Sequence, residues 1–379
     1  MTKIKVCYFT SKDANDIRVF HKECVSLVKA GYDVTMMCPN AEDKEAQGVH
    51  VRGVKYEDKG DFARFTKLPK LLYEKALEVD ADIYHFNDPA SIRYGVKLKT
   101  AGKKVIFDAF EDHGSLWMNR ATGVKGLLFK AIGKWYEGYE KKQCAKFDAI
   151  LCCYHWTKDR LKQVNPNCEL VFNFPIVNPE EVKEPKGVNS ERPTICYAGT
   201  MSDAWNIPTV VRAIEGTNIQ FNLAGWCAEG DDLMDRLQSM QGWKNVNFFG
   251  KLPKQEVTEK VYNHSDIGVA LYHYSPICHG KVGNLSNNKL FEYMLMGMPV
   301  VCTDFNLWNE VVVMNQCGIC VKPDDEKAIR EAIEFIANHP AEALTMGRNG
   351  QRMVLNKYNW ASQEQILLNV YKRVFKHEK

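Results

Sequence analysis

Between Asn284 and Asp304 the chain reads NLSNNKLFEYMLMGMPVVCTD, the pattern of a loop, a helix and a buried strand. Asn287 or Asn288 can cap the helix start. Leu290, Phe291, Met294 and Leu295 give the helix an apolar face, Gly297 ends it and Pro299 opens the strand. The first turn of a helix has unpaired backbone N–H groups and a partial positive charge, which suits a phosphate. Lys289 adds a full cation there, although the helix dipole favours an acid. A cation so placed is easiest to account for if an anion binds beside it. Glu292, one turn further in, can accept both hydroxyls of a ribose diol. The competing reading makes both of them solvated helix residues. Lys281, in CHGKVGN, is either a second cation for that anion or a solvated loop lysine.

Other chemistry-bearing residues stand at strand ends. His85 and Asn87, in YHFNDP, are candidates for substrate contact, His85 equally for a satisfied structural histidine. Asp88 can orient an acceptor or cap the helix after it, the commoner fate of an Asp before Pro-Ala-Ser. Asp16, Arg18 and His21 flank the first strand–helix junction and belong either to an acceptor site or to a surface helix. Glu111 and His113, in FDAFEDHG, are acceptor-side candidates, with an ordinary loop histidine as the alternative for His113.

The elements that must position these residues alternate almost from end to end. Apolar strands are expected at Ile4–Thr10, Asp33–Cys38, His50–Val54, Asp82–Phe86, Lys104–Asp108, Asp148–Cys153 and Glu169–Phe172, with helical patterns between them. The polar, proline-rich stretch Val177–Pro193 reads as an interdomain linker. A second series follows at Thr194–Gly199, Ile219–Gly225, Val246–Gly250, Ile267–Tyr272, Pro299–Thr303 and Gly318–Val321. Near-continuous apolar strands separated by helices indicate parallel sheets covered on both faces. The expected architecture is therefore α/β, with two facing Rossmann-like doubly wound domains. Residues 1–175 form the first, completed by a C-terminal helix in 360–379, and residues 176–359 form the second. Ligands of such sheets bind at the carboxyl ends of the strands, which places them in the cleft between the domains.

The motif KLFEYMLMGMPVV resembles the donor-binding signature of the retaining, nucleotide-sugar-dependent glycosyltransferases of family 4, which have the GT-B fold. The resemblance covers most of the chain. It extends to DIRVFHKECVSLVKAGYDV (Asp16–Val34), DADIYHFNDP (Asp80–Pro89), KKVIFDAFED (Lys103–Asp112), YAGTMSD (Tyr197–Asp203), FFGKLPKQEVTEKVYNHSDIGVALY (Phe248–Tyr272) and YNWASQEQILLNVY (Tyr358–Tyr371). It implies donor contacts at Gly199, Thr200, Gly250, Lys251, Asn287, Asn288 and Leu290, with Lys281 beside them, and a catalytic set of Glu292, Lys289, His85 and Asn284. It also implies transfer with retention, in which the leaving phosphate receives the acceptor proton, so that catalysis is mostly positioning and charge stabilisation.

Three positions depart from the family pattern. Asn284 stands where relatives have a glutamate linked to the transferred sugar; an amide can hydrogen-bond a hydroxyl but carries no charge. Thr200, with Trp205 or Asn206, stands where relatives have an arginine and a lysine on the diphosphate. Phe110 replaces a common histidine. A diphosphate in a dry cleft still needs cations, and Lys289 and then Lys281 are the nearest.

The bulk composition excludes several classes. A net charge of +3 is too mild to argue for nucleic acid as a partner. The 13 cysteines are an odd number lying mostly in apolar runs, which fits reduced core thiols, Cys317 and Cys320 included. No zinc spacing accompanies them, so no metal and no cofactor beyond the nucleotide-sugar substrate are expected. The first turn, FTSKDAND, lacks the glycine pattern of a dinucleotide site, which disfavours a nicotinamide enzyme. MTKIKVCYFT is not a signal peptide and no run is long enough to span a membrane, so a cytoplasmic protein is expected. The basic, aromatic helix Val124–Lys142 is either packed on its own sheet or interfacial, at the inner face of the cell membrane. The acceptor expected is a glycan or lipid-linked glycan of cell-surface polysaccharide assembly. The alternatives are a nucleotide-sugar epimerase on the same scaffold and a non-catalytic partner subunit.

Overall fold

A computed structural model describes residues 3–57, 60–118, 123–228 and 230–376 of the chain. It divides into two compact units, Met1–Asn173 with Trp360–Lys379, and Phe174–Asn359. The division falls after Asn173, two residues before the boundary expected from the sequence. Phe174 belongs to the second unit because its ring packs edge-on against Phe291 and Tyr358, with centroids 4.7 and 5.4 Å away.

The first unit is built on β1 (Lys5–Phe9), β2 (Asp33–Pro39), β3 (Lys44–Ala46), β4 (Val49–Val54), β5 (Ile83–Phe86), β6 (Lys104–Ala109), β7 (Ala149–Cys152) and β8 (Cys168–Leu170). Their order is β3-β4-β2-β1-β5-β6-β7-β8, parallel except for β3. The polar segment KEA has no apolar pattern, and β3 was not among the expected strands. Alternation along β1 sends Val6 and Tyr8 to one face and Cys7 and Phe9 to the other, so both faces need cover. One is covered by the helix Ile17–Cys24, continuing as Val25–Lys29, and by the last helix, Trp360–Lys376. Leu367, Val370, Tyr371 and Val374 of that last helix are at most 1% exposed. Burying such side chains contributes about 1.5–3 kcal/mol each. Trp360 Nε1 donates to Ser26 Oγ at 2.9 Å, and Tyr371 Oη lies 2.8 Å from His85 Nδ1. A segment lying 286 residues beyond His85 and 334 beyond Ser26 at these contacts thus completes the first core.

The second unit carries β9 (Thr194–Met201), β10 (Gln220–Cys227), β11 (Val246–Phe248), β12 (Ile267–Ala270), β13 (Val300–Thr303) and β14 (Gly318–Val321), all parallel, in the order β11-β10-β9-β12-β13-β14. The stretch expected as a linker packs on this unit. Lys186 Nζ donates to Asn263 O at 2.7 Å, Gln351 Nε2 donates to Lys183 O, and Val188 is buried. A Cβ on Gly297 would meet Pro185 at 2.7 Å. Pro185 supplies packing rather than flexibility.

Candidate functional site

The clearest site lies where β9 and β10 end. These strands run in register, Gly199 opposite Gly225 and Thr200 opposite Trp226. Both glycines have positive φ, +146° and +144°, and a Cβ on Gly225 would collide with the carbonyl of Gly199. The missing side chains open a cavity of about 290 Å³, floored by these strand ends and walled by Trp226, Lys251, Leu252, Val257, Tyr262 and Glu292. Trp226 is half exposed, leaving an aromatic face to solvent. Gly250 (φ +64°) accepts from Gly225 N at 2.8 Å and so holds Lys251 at the cavity.

The helix behind the cavity is Asn288–Leu295. Asn287 is its cap, with Oδ1 accepting from Lys289 N at 3.1 Å. Leu290, Phe291 and Met294 are wholly buried, so Leu290 offers its side chain to the core and not to a ligand. Lys289 turns towards the end of β9. Its Nζ stands 5.2 Å from the Tyr197 ring centroid, and a Cβ on Gly199 would meet its Cε at 2.5 Å. Burial pushes the Lys289 ammonium below the usual lysine range, and the charge of Lys254 adds to this, against Glu292. Glu292 faces the cavity. Its Oε2 accepts from Tyr262 Oη at 2.9 Å and its Oε1 lies 2.5 Å from Lys254 Nζ. Burial alone would raise this carboxyl. The charge of Lys254, with hydrogen bonds from Lys254 and Tyr262, outweighs burial and holds it below the usual carboxylate range.

Lys281, Asn284 and Asn288 do not line this cavity. Lys281 pairs with Asp304 at 2.7 Å. Asn284 is folded onto its own loop, Oδ1 accepting from Ser286 N and its carbonyl from Trp308 Nε1. Asn288 Oδ1 is shielded, with no hydrogen-bond partner among the described residues. At the positions aligned with the family's cations, Thr200 lies in the cavity floor, Trp205 packs edge-on against Tyr272 and Asn206 is buried, bonded to Pro323 O.

In the first unit the acceptor-side candidates separate into buried and exposed sets. Arg18 is sealed in the core, with Nε and Nη2 donating to Asp108 at 2.8 and 2.9 Å, Nη1 donating to Val171 O, and Glu23 at 3.1 Å. It is thus a structural residue and offers no contact to an acceptor. Burial pushes the Glu23 carboxyl well up, and the neighbouring charge of Asp108 pushes further. His85 is fully buried between Tyr8 and Tyr371, and burial with the Arg18 charge holds it neutral. Asp88 caps, its Oδ1 accepting from Ala90 N at 2.8 Å. Glu111 pairs with Lys12 at 3.3 Å and His113 stands over Tyr136, both partly exposed. His21 is partly exposed beside Phe20.

Two residues at the cavity, Lys254 and Tyr262, were not singled out from the sequence. Both lie in the quoted segment Phe248–Tyr272, but a lysine after Pro253 and a tyrosine in an apolar run look ordinary until the fold brings them to Glu292.

This arrangement, two parallel α/β units with a glycine-floored cavity at the strand ends of the second, is that of the GT-B glycosyltransferases. Residues 178–353 match the model of the glycosyl transferases group 1, and residues 18–174 that of glycosyltransferase family 4. The chain belongs to the family 4 glycosyltransferases. Among solved structures it is similar to a sucrose-phosphate synthase from Thermosynechococcus elongatus (17% identity, TM-score 0.78, 99% of this chain and 100% of that one). It is also similar to a glycosyltransferase from Rickettsia africae (13%, 0.70, 100% of each chain). HepE of Anabaena, solved with UDP and glucose, is a third (12%, 0.67, 97% and 99%). At these identities the likeness establishes the fold alone. No curated protein matches the chain in sequence.

Proposed function

We propose that the protein transfers a hexose-type sugar, with retention, from a nucleotide-sugar donor to a glycan or lipid-linked glycan acceptor, in the assembly of cell-surface polysaccharide. The observation that carries the donor half of this reading is Glu292 in the wall of a cavity floored by Gly199 and Gly225, with Lys289, one helical turn before it, reaching to Gly199. Glu292 takes the ribose diol and Trp226 offers a surface for the base. Lys289 and Lys251 supply the charge for the diphosphate. That charge grows as the glycosidic bond breaks, so cations fixed in advance stabilise the transition state more than the ground state. The departing phosphate accepts the acceptor's proton, and no carboxylate base is required. We include in the reading that no metal takes part, so that activity survives chelation.

The acceptor half rests on the helix Gly123–Cys144. Tyr136, Glu140 and Cys144 face inward, whereas Leu127, Leu128 and Trp135 are 62–69% exposed with Lys130 and Lys134 alongside. A stripe of that kind suits the surface of an anionic membrane. No helix among the described residues is long and apolar enough to cross one. Sedimentation with vesicles containing phosphatidylglycerol should fall several-fold in a Leu127→Ser/Trp135→Ser variant and not with phosphatidylcholine alone; equal sedimentation of both proteins would remove the membrane from the proposal.

The test of the donor reading is release of nucleotide from a panel of UDP-, GDP- and dTDP-sugars. Glu292→Gln should lower kcat/KM about 10- to 150-fold, the loss of a charged acceptor worth roughly 1.5–3 kcal/mol. Its melting temperature should hold. Release that is unchanged in the variant would sink the assignment of Glu292.

A further inference from the structure

Both oxygens of Glu292 are already engaged, Oε2 by Tyr262 and Oε1 by Lys254. Tyr262 is a buried residue of the scaffold, whereas the Lys254 side chain is half exposed and enters from the cavity rim, on the short turn Lys254–Glu256. A ribose diol and Lys254 therefore compete for the same carboxylate. The charges at the site indicate where Lys254 goes. Lys251, Lys254 and Lys289 oppose the single carboxylate of Glu292, so three cations less one anion leave two positive charges, the complement of a diphosphate. Without Lys254 only one remains. Thr200 in the cavity floor contributes none.

We propose that Lys254 is an exchangeable cation that occupies Glu292 in the empty site and transfers to the donor's diphosphate when the ribose takes its place. This rests on the nucleotide-sugar reading above. The exchange makes the site selective for the whole nucleotide. A nucleoside must displace Lys254 and offers it no anion, while a nucleoside diphosphate receives it. Lys254 stands in for the cation absent at Thr200, and it reaches the phosphates from a different strand–helix turn.

The test compares uridine with UDP, and guanosine with GDP, by calorimetry on the wild-type protein, Lys254→Met and Lys254→Arg. In Lys254→Met the diphosphate should bind about tenfold or more weakly, from loss of a charge-assisted contact. The nucleoside should bind as well as before or several-fold more tightly, because Glu292 is released. Lys254→Arg should keep most of the diphosphate affinity, and melting curves should show all three folded. Equal weakening for nucleoside and diphosphate would mean that Lys254 only props Glu292, and unchanged binding of both would mean that it does neither; each result overturns the exchange. Wild-type protein that binds neither diphosphate would overturn the nucleotide reading, and the exchange with it.

Discussion

The ion pair Arg18–Asp108 of the first unit is sealed, whereas Lys254–Glu292 of the second can be reached. Arg18 and Asp108 are at most 3% exposed, with two hydrogen bonds between them and Glu23 alongside. Lys254 and Glu292 are 50% and 18% exposed, and the cavity opens onto both. Removing one partner from a sealed pair leaves a bare charge in a poorly polarisable interior, so such a pair is hard to exchange. A pair at a cavity wall can give up one partner to a ligand that supplies equivalent contacts. A carboxylate paired with a cation thus serves as scaffold in one place and as binding site in the other, and access to solvent separates the two.

The contrast can be broken at its strongest point with Arg18→Met. This should cost about 3–5 kcal/mol of stability, because Asp108 is left buried without its partner. Urea denaturation measures it, and a loss below about 1 kcal/mol would mean that the sealed pair behaves like a surface one. A smaller effect concerns the lowered Lys289. Affinity for UDP should decline as pH rises through the depressed Lys289 value, before an ordinary lysine would titrate, since only the protonated form attracts the diphosphate. Lys289→Arg should move that decline to higher pH, and an identical profile in the variant would exclude Lys289 as its origin. The smallest effect belongs to Glu23. Its folded value is raised, so its contribution to stability is fully present below the unfolded glutamate value and is lost as pH rises towards the folded one. Glu23→Gln should flatten that fall with little change at low pH. A wild-type curve that instead climbs through this window would show Glu23 ionised in the core.

The strands were legible in the sequence because buried parallel strands are apolar runs, and thirteen of them stand at the expected places. The exposed KEA edge, β3, has no such signal. The cap at Asn287 and the cation at Lys289 could be read from local rules, since both act within one helical turn. Arg18 misled, and His85 stayed open between two readings, for the opposite reason. Their types suggest chemistry, but their partners Asp108 and Tyr371 are ninety and more residues away, and nothing local reveals that they are enclosed. Lys254 and Tyr262 were missed because their importance comes only from meeting Glu292, about thirty or more residues further on.

The docking of Trp360–Lys376 against the first unit has a consequence for biosynthesis. As the chain leaves the ribosome, strands β1 to β8 are made long before the helix that covers them, and His85 and Ser26 must wait for Tyr371 and Trp360. Phe174–Asn359 is contiguous and has all its own partners before that helix emerges. The half synthesised second is therefore the first that can close, and the half synthesised first keeps an apolar face uncovered until residues 360–376 have been made, the interval in which it most needs protection from aggregation.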